Sequence, residues 1–386
     1  MRLFHPIPLG WLQLWHRKVR FAVALLGIAF AVMLILMQLG FRESLFESSL
    51  RYLKHFNYDV AIFSYDSQYI VAPENFSDRR LYQALAVDGV ERISPVYLGR
   101  GIWKNPETHG SRIVYVAGVD PEDDVLDAPG VAEGRDVIKL QDVVLFDRDS
   151  RKEYGPVAQR FDAGEPVETE VNDRRIRIGG LFTMGTSFGI DASLLTSRAN
   201  FLRLFPTRPK NQISLGLIHV APGVDPVAVR DRVRAIVPED VIVMTRADFI
   251  ARELAYWNAA TPIGFVFSFG SIIGFVVGTV IVYQILFSDV SDHLAEYATL
   301  RAIGYSNGYI SRVVIQQAMI LAVLGFALGA LAATRLYEIA RHATKLPMEL
   351  TLERSVVVLG ATFTMCAISG FLALRRVRKL DPADVF

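Results

Sequence analysis

The feature that most constrains this chain is a set of four long stretches that contain no Asp, Glu, Lys or Arg. A helix needs about 20 apolar residues to cross the hydrocarbon core of a bilayer, and each stretch is long enough. Helices in soluble cores rarely extend so far without a charged residue. We therefore predict an α-helical membrane protein with four transmembrane helices. The predicted spans are Phe21–Phe41, Pro262–Ser288, Val313–Thr334 and Ser355–Leu374.

Two of these stretches need further interpretation. The first is too long for the apolar region of a signal peptide, and no small-residue cleavage site follows it, so we predict an uncleaved anchor. The second extends from Leu254 to Ser288. As a helix it would measure about 52 Å, against about 30 Å of hydrocarbon. Proline at position 262 can occupy the first turn of a helix or kink it, so we predict the transmembrane helix from Pro262 to Ser288, with its membrane part at about Phe265–Phe287.

Basic residues at both ends of the chain predict the orientation. Residues 1–20 carry four basic and no acidic residues, and their tryptophans, Trp11 and Trp15, predict an amphipathic helix on the cytoplasmic surface. The tail 375–386 begins with a second basic cluster. By the positive-inside rule both termini are cytoplasmic, so residues 289–312 form a cytoplasmic loop and residues 335–354 a short periplasmic loop.

The residues between the first two helices, 42–257, have the pattern of a soluble domain. Strand-like segments such as Val90–Trp103 alternate with helical segments such as Pro226–Ile236. This predicts a large mixed α/β extracytoplasmic domain, with stalk helices at its two ends. Residues near 121–210 break the alternation and are predicted to form an inserted subdomain. Because the chain has one cysteine, an apolar core and not an internal disulfide must hold this domain together.

The loop 289–312 is the most informative short segment. Its residues Leu294, Tyr297 and Leu300 recur at helical spacing, and Gly304 is placed to end the helix. We expect Asn307-Gly308 to form a turn before the next helix. A short helix at the cytoplasmic surface suits docking into the groove of a partner protein. The alternative is a plain connector between two helices.

A family resemblance rests on this loop and on the membrane segments. Residues Glu296–Gly304, EYATLRAIG, resemble the E-x-A-x-L-R-A-x-G segment of FtsX-like permeases, the membrane subunits of MacB-type (type VII) ABC transporters. The tail Arg378–Phe386 and the order of one helix, an outer domain and three helices are also similar. The segments Pro8–Leu14 and Gly27–Phe41 resemble, more narrowly, DevC-type permeases of cyanobacterial exporters. The resemblance is loosest in residues 121–210.

This resemblance implies a non-catalytic subunit of an ATP-driven exporter in the bacterial inner membrane. The implied partners are a second permease copy in the lipid bilayer, an ABC ATPase, a periplasmic membrane-fusion adaptor and, indirectly, an outer-membrane channel. The DevC likeness implies glycolipid cargo. The helices would transmit motion outward, which agrees with spans that lack charged residues. The implied ATPase-coupling residues are Glu296, Tyr297, Thr299, Leu300, Arg301 and Gly304.

Several kinds of site are not predicted from the sequence. There is no G-x-x-x-x-G-K-[ST] phosphate loop, so we expect ATP and Mg²⁺ to bind the separate ATPase and this chain to bind no cofactor. The seven histidines show no ligand spacing, so no metal site is predicted. The 41 basic residues nearly balance the 40 acidic ones, which argues against a nucleic-acid partner.

A glycine repeat in the second span predicts close helix packing. Gly270, Gly274 and Gly278 are spaced four residues apart and therefore lie on one face of the helix. Small residues at this spacing allow two helix backbones to approach closely. The neighbouring helix could belong to the same subunit or to a second copy.

A serine motif offers a different function. Gly185–Gly189, GTSFG, matches the G-x-S-x-G nucleophile elbow of serine hydrolases, with Ser187, Asp191 and His219 as the triad in chain order. The elbow needs a strand before it and a helix after it. The simpler interpretation is a turn in the outer domain.

Three function classes therefore remain. The leading one is an exporter permease, within which release of lipoproteins is an alternative to other cargo. The second is an FtsX-like mechanotransmitter that regulates a cell-wall hydrolase, although the large outer domain favours the MacB type. The third and most remote is a membrane-anchored serine hydrolase.

Overall fold

The computed structural model describes residues 11, 16, 18–187, 189–259 and 262–378. Most of the predicted amphipathic segment 1–20 and the last eight residues of the tail lie outside this range. The chain divides into two compact units. We call them the helical unit, drawn from residues up to Ser44 and from Pro262 onward, and the α/β unit, Leu45–Thr261.

The helices range from single turns to long apolar spans. In chain order they are α1 Lys18–Ser49, α2 Arg51–His55, α3 Arg79–Ala84, α4 Val131–Gly134, α5 Val157–Asp162, α6 Arg198–Leu204, α7 Pro226–Ile236, α8 Arg246–Ala259, α9 Pro262–Asp292, α10 Leu294–Ala302, α11 Asn307–Thr344 and α12 Leu352–Arg378. Among the described residues, four helices are long and apolar enough to cross a membrane: α1, α9, α11 and α12. They contain the four predicted spans.

The four long helices share one apolar core. Ile28 of α1, Leu286 of α9, Leu321 of α11 and Met365 of α12 are each at most 1% exposed. The outer faces are apolar as well: on α9, Phe269 and neighbouring aliphatic residues remain about half exposed. Extended apolar surface of this kind is typical of contact with lipid or with another protein.

A polar cluster marks each end of the apolar span of α1. At one end Arg20 forms a salt bridge with Asp292 of α9. At the other end Glu43 forms a salt bridge with Arg354 of α12, whose Nη1 also donates to the Tyr337 hydroxyl at 3.2 Å. Arg20 and Glu43 are 23 residues apart, which is about 35 Å along a helix and slightly more than the hydrocarbon thickness of about 30 Å.

The α/β unit is built around an extended, mostly antiparallel arrangement of strands. In chain order they are β1 Val60–Ser64, β2 Phe76–Ser77, β3 Val90–Lys104, β4 Ser111–Val119, β5 Val143–Asp147, β6 Glu168–Val171, β7 Arg174–Phe182, β8 Ser193–Ser197, β9 Gln212–Ile213, β10 Leu215–Val220 and β11 Val241–Thr245. Together with the helices, they confirm the mixed α/β prediction.

One half of the α/β unit has a split β-α-β topology of the ferredoxin-like kind. Its strands lie in the order β11-β1-β10-β3, and every neighbouring pair is antiparallel. Helix α3 connects β1 to β3, and α7 connects β10 to β11. Asp225 caps α7 by accepting a hydrogen bond from the Val227 N–H at 3.0 Å, while Val229 and Val233 are fully buried, as their four-residue spacing requires.

The other half is a closed barrel of six strands in the order β3-β4-β8-β5-β7-β6. It closes because β6 pairs back to β3, with Val171 opposite Trp103 and Glu170 opposite Lys104. Trp103 is fully buried, and its indole N–H donates to the Tyr154 carbonyl at 3.1 Å. Closure leaves no free strand edge. The predicted insertion 121–210 supplies β5 to β8 of this barrel.

Two local predictions differ from the structure. The turn predicted at Asn307-Gly308 is wrong, because α11 already begins at Asn307. Ser306 precedes it as the N-cap, and its hydroxyl accepts from the Tyr309 N–H at 3.4 Å. The predicted outer loop 335–354 is helical as far as Thr344, because charged residues end an apolar span without ending a helix.

Candidate coupling segment

The segment from Asp289 to Ser306 lies between two membrane-length helices. Helix α9 continues to Asp292, a single residue follows, and α10 then occupies Leu294–Ala302. The predicted short helix is therefore present. The only residues between it and α11 are Ile303–Ser306, so the position of α10 is closely tied to its two neighbours.

The inward side of the segment is a buried row at four-residue spacing. Asp289, His293 and Tyr297 are 9%, 8% and 2% exposed. Gln317 of α11, fully buried, donates from Nε2 to Asp289 Oδ2 at 3.0 Å. His293 Nδ1 lies 2.8 Å from the Asp289 carbonyl, which accepts its hydrogen bond. The Asp289–Gln317 hydrogen bond therefore joins α9 to α11, and the buried Tyr297 ring packs α10 against the core of the helical unit.

The outward side of the segment is free of such contacts within the described part of the chain. Glu296 and Thr299 are exposed, and the Thr299 hydroxyl donates only to the Ala295 carbonyl of its own helix, at 2.9 Å. Ile303 is 71% exposed and Tyr305 is 47% exposed. Exposed isoleucine and tyrosine side chains in a polar segment are typical of a surface that binds a partner.

Gly304 ends α10, as the sequence predicts. Its φ of 105° lies in the left-handed region, where a Cβ would be strained. The Tyr305 N–H donates to the Leu300 carbonyl at 3.0 Å, and the Ile303 N–H donates to Thr299 at 3.1 Å. The first of these bonds has the pattern of a Schellman motif, in which glycine is the usual residue.

The six predicted coupling residues thus occupy different environments. Glu296, Thr299 and Gly304 are exposed, Leu300 is half-buried against the core, and Tyr297 is buried inside it. The backbone of Arg301 belongs to α10, but its side chain lies outside the described range. The sequence interpretation missed Ile303 and Tyr305 as surface residues; their apolar character within a polar loop is the signal that could have found them.

The predicted glycine face of α9 packs within the helical unit. A Cβ built on Gly270 would lie 2.7 Å from the Gln38 amide, and one on Gly274 would lie 3.0 Å from Ile35 Cγ1. One on Gly278 would meet the sulfur of Met365 on α12 and lie 2.7 Å from Ala31 on α1. The close contacts of this face are therefore made with helices of the same subunit.

The serine motif does not form a nucleophile elbow. Ser187 lies in a tight turn, where its backbone pairs with that of Ile190, and the next element is strand β8 where the elbow requires a helix. The Asp191 carboxylate binds Arg151, with Nε at 2.7 Å from Oδ1. His219 is part of β10 and makes no hydrogen bond to either residue in the described structure.

Two carboxyl groups are buried in the α/β unit, and neither forms a hydrogen bond with the Ser187 hydroxyl in the described structure. Burial raises the pKa of Glu253 to about 7, although the Trp257 indole N–H and the Ile70 N–H both donate to it. Burial likewise raises the pKa of Asp147 to about 6, against the effect of hydrogen bonds from the backbone of Met184 and Gly185. The described residues contain no group of three metal-ligating side chains.

Comparison with known proteins covers both units. The family model described as the MacB-like periplasmic core domain matches residues 21–236, and the one described as the FtsX-like permease C-terminal domain matches residues 265–382. A search of curated protein sequences found no match to the chain.

Among solved structures, the periplasmic region of MacB from Actinobacillus actinomycetemcomitans is similar at 14% identity and a TM-score of 0.36, covering 52% of this chain and 92% of that one. The extracellular domain of the noncanonic ABC-type transporter YknZ from Gram-positive bacteria is similar at 12% identity and a TM-score of 0.34, covering 48% and 98%. The first family model alone spans more than half of the 386 residues. The chain belongs to the FtsX-like permease family of MacB-type ABC transporters.

Proposed function

We propose that this chain is the permease subunit of an ATP-driven MacB-type exporter, in which α10 receives motion from a separate ABC ATPase. The observation that carries the proposal is the two-sided environment of α10. Its inner side packs into the core through Tyr297, whereas Glu296 and Thr299, and Ile303 just after the helix, are exposed.

This arrangement suits the transfer of a displacement. A helix on long, flexible connections would absorb a push. Helix α10 has one residue before it and four after it, and the buried Asp289–Gln317 hydrogen bond joins its neighbours α9 and α11, so the three helices would move together. ATP and Mg²⁺ would bind the ATPase, and this chain would bind neither. In the exporter, a permease homodimer would carry the motion to a periplasmic adaptor and an outer-membrane channel.

The match of residues 21–236 to the MacB-like periplasmic core domain supports the exporter role. The alternative is an FtsX-like regulator of a cell-wall hydrolase. The DevC likeness supports glycolipid as the cargo. Both termini would be cytoplasmic, as the basic residues near them favour.

The test uses the full chain reconstituted in lipid with its cognate ATPase. Ile303→Asp places a charge in the proposed contact and should lower permease-stimulated ATP hydrolysis about tenfold, the effect of losing an interface hot spot. The matched control is Ile113→Asp in β4 of the α/β unit, because Ile113 is 63% exposed and Ile303 71%. The control should keep normal stimulation.

Two results would count against the proposal. Full stimulation by the Ile303→Asp protein would remove α10 from the ATPase contact. Recovery of a peptidoglycan hydrolase, and of no adaptor, with the affinity-purified permease would favour the regulator over the exporter.

A further inference from the structure

A polar cluster joins three of the long helices at the ends that are remote from α10. It consists of Glu43 on α1, Tyr337 on α11 and Arg354 on α12, all in the helical unit, and we call it the arginine node. Arg354 Nε donates to Glu43 Oε2 at 3.0 Å, and Nη2 donates to the same oxygen. Arg354 Nη1 donates to the Tyr337 hydroxyl at 3.2 Å and to the Glu349 carbonyl at 2.8 Å. One guanidinium therefore connects α12 to α1 and to α11.

Tyr337 also holds α11 directly against α1. It is 2% exposed, and its hydroxyl donates to the Leu36 carbonyl of α1. The ring can approach because α1 has a glycine at position 40: a Cβ built on Gly40 would lie only 2.6 Å from Cζ of the ring. The hydroxyl donates to α1 and accepts from Arg354, so its single oxygen takes part in two bonds between helices.

The arginine node combines a buried cation with a more accessible anion. The Arg354 side chain is 6% exposed, whereas that of Glu43 is 55% exposed. Removal of the partner from a buried charge is strongly destabilising, because the charge is then neither solvated nor paired. Displacement of α1 relative to α12 would leave Arg354 in that condition. The arginine node therefore favours joint movement of the helices that it connects.

The connections of the chain give this cluster its importance. Helix α11 begins after the four residues that follow α10 and continues for 38 residues, about 57 Å as a straight helix. Residues 345–351 then lead into α12, so neither helix is continuous with the α/β unit. Helix α1, by contrast, extends as one helix to Ser49, beyond the start of that unit at Leu45. Motion of α11 must therefore pass through side-chain contacts to reach a helix that enters the α/β unit.

We propose that Arg354 and Tyr337 transmit the displacement of α11 to the far end of α1, and through α1 to the α/β unit. Both are positioning residues, because they lie outside the segment proposed to contact the ATPase and act by holding α1 in place relative to α11. Glu43 supplies the matching charge on α1. The inference rests on the proposed function, since the displacement enters at α10.

The experiment measures two quantities on the full chain in lipid nanodiscs with its cognate ATPase: stimulated ATP hydrolysis and a distance. In a Cys366→Ala background, Arg341→Cys on α11 and Glu107→Cys in the α/β unit carry spin labels, because both positions are exposed. An excess of unlabelled chain ensures that the distance is measured within one copy. Without further substitution, we expect the distance measured by double electron–electron resonance to shift when ADP and vanadate are trapped on the ATPase.

Variants separate transmission from coupling to the ATPase. Tyr337→Phe removes only the bridging oxygen, and Arg354→Gln removes the charge; both should keep stimulated hydrolysis and lose most of the distance shift. Arg354→Lys keeps the charge beside Glu43 without the forked guanidinium geometry, so it should restore part of the shift. The control is Arg335→Gln on α11, because the Arg335 side chain is 73% exposed. It should change neither quantity.

A full distance shift in both Tyr337→Phe and Arg354→Gln would overturn the proposal, and a full shift in one of them would remove that residue from the path. Tyr337→Phe is the milder change and decides the matter if Arg354→Gln fails to fold. Parallel loss of hydrolysis and shift in Tyr337→Phe would assign the arginine node to folding and not to transmission. Absence of stimulated hydrolysis in the chain without these substitutions would instead refute the proposed function, and this inference with it.

Discussion

At the scale of single residues, Glu253 illustrates how burial sets a charge. The side chain is fully buried on α8, and burial raises its pKa from an ordinary 4.5 to about 7. As pH rises, the Glu253 carboxyl loses its proton at a lower pH in the unfolded chain than in the folded one. The protonated group therefore favours the folded state fully below about pH 4.5, and this contribution is lost by about pH 7.

Replacement of Glu253 by glutamine should remove that pH dependence. The difference in local stability between variant and wild type should grow from near zero at pH 4.5 to at most about 3 kcal/mol at pH 8, in favour of the variant. Hydrogen exchange of the peptide containing Ile70, whose N–H donates to Glu253, provides the measurement at each pH. The control is Glu239→Gln, at an exposed site of the same unit. An exchange ratio independent of pH would refute the expectation.

Gly278 and Gly360 allow a matched test of helix packing. A Cβ on Gly278 meets Met365 and Ala31, whereas nothing lies within 4 Å of a Cβ built on Gly360. Gly278→Ala should therefore destabilise the helical unit by about 1–3 kcal/mol through overpacking. Gly360→Ala should be neutral, or stabilising by up to about 1 kcal/mol through helix propensity. Thermal unfolding in detergent distinguishes the two; equal melting temperatures would contradict the packing assignment.

At the scale of elements, the successful predictions concern features that depend on residues close together in the sequence. Proline and aspartate at the start of α7, the apolar spacing within it, and the left-handed glycine after α10 were each readable from a few adjacent residues. The barrel was not readable, because it closes through Trp103 and Val171, which are far apart in the sequence. Two of its strands also come from outside the segment predicted as an insertion.

The same limit applies to the coupling segment. The short helix and its exposed Glu296 and Thr299 follow from the sequence pattern. The hydrogen bond that joins the flanking helices α9 and α11 does not, because Asp289 and Gln317 are 28 residues apart and each looks like an ordinary polar residue. Burial of Tyr297 also depends on the packing of other helices and not on its neighbours in the chain.

This hydrogen bond leads to a prediction for α9 and α11, the two helices that flank α10. Gln317→Leu removes the donor to Asp289 and leaves a buried carboxylate oxygen with one bond fewer, at a cost of about 1–3 kcal/mol. The variant should insert normally but give weaker permease-stimulated ATP hydrolysis, because α9 and α11, between which α10 is connected, are less firmly joined to each other. Gln316→Leu is the control, since Gln316 is the adjacent residue and is exposed. Equal stimulation in the two variants would show that the bond has no part in coupling.

At the scale of the whole molecule, the charged residues lie outside the four segments that we expect to cross the membrane. The four apolar spans carry none of the 81 charged residues between their predicted ends. The polar clusters at Arg20 and Glu43 occupy the two ends of the α1 span. Basic residues are concentrated near both termini, and the positive-inside rule assigns that side to the cytoplasm. The orientation is therefore a prediction from sequence, and labelling can test it.

The test uses the fact that the chain has one cysteine, Cys366, which is fully buried. In a Cys366→Ala background, Glu107→Cys and Glu296→Cys each place one thiol at an exposed glutamate, the first in the α/β unit and the second on α10. A membrane-impermeant maleimide should label position 107 in intact spheroplasts and position 296 only after permeabilisation. Because both sites are exposed, a difference in labelling reports the side of the membrane and not burial. Labelling at 296 without permeabilisation would reverse the orientation and remove α10 from reach of a cytoplasmic ATPase.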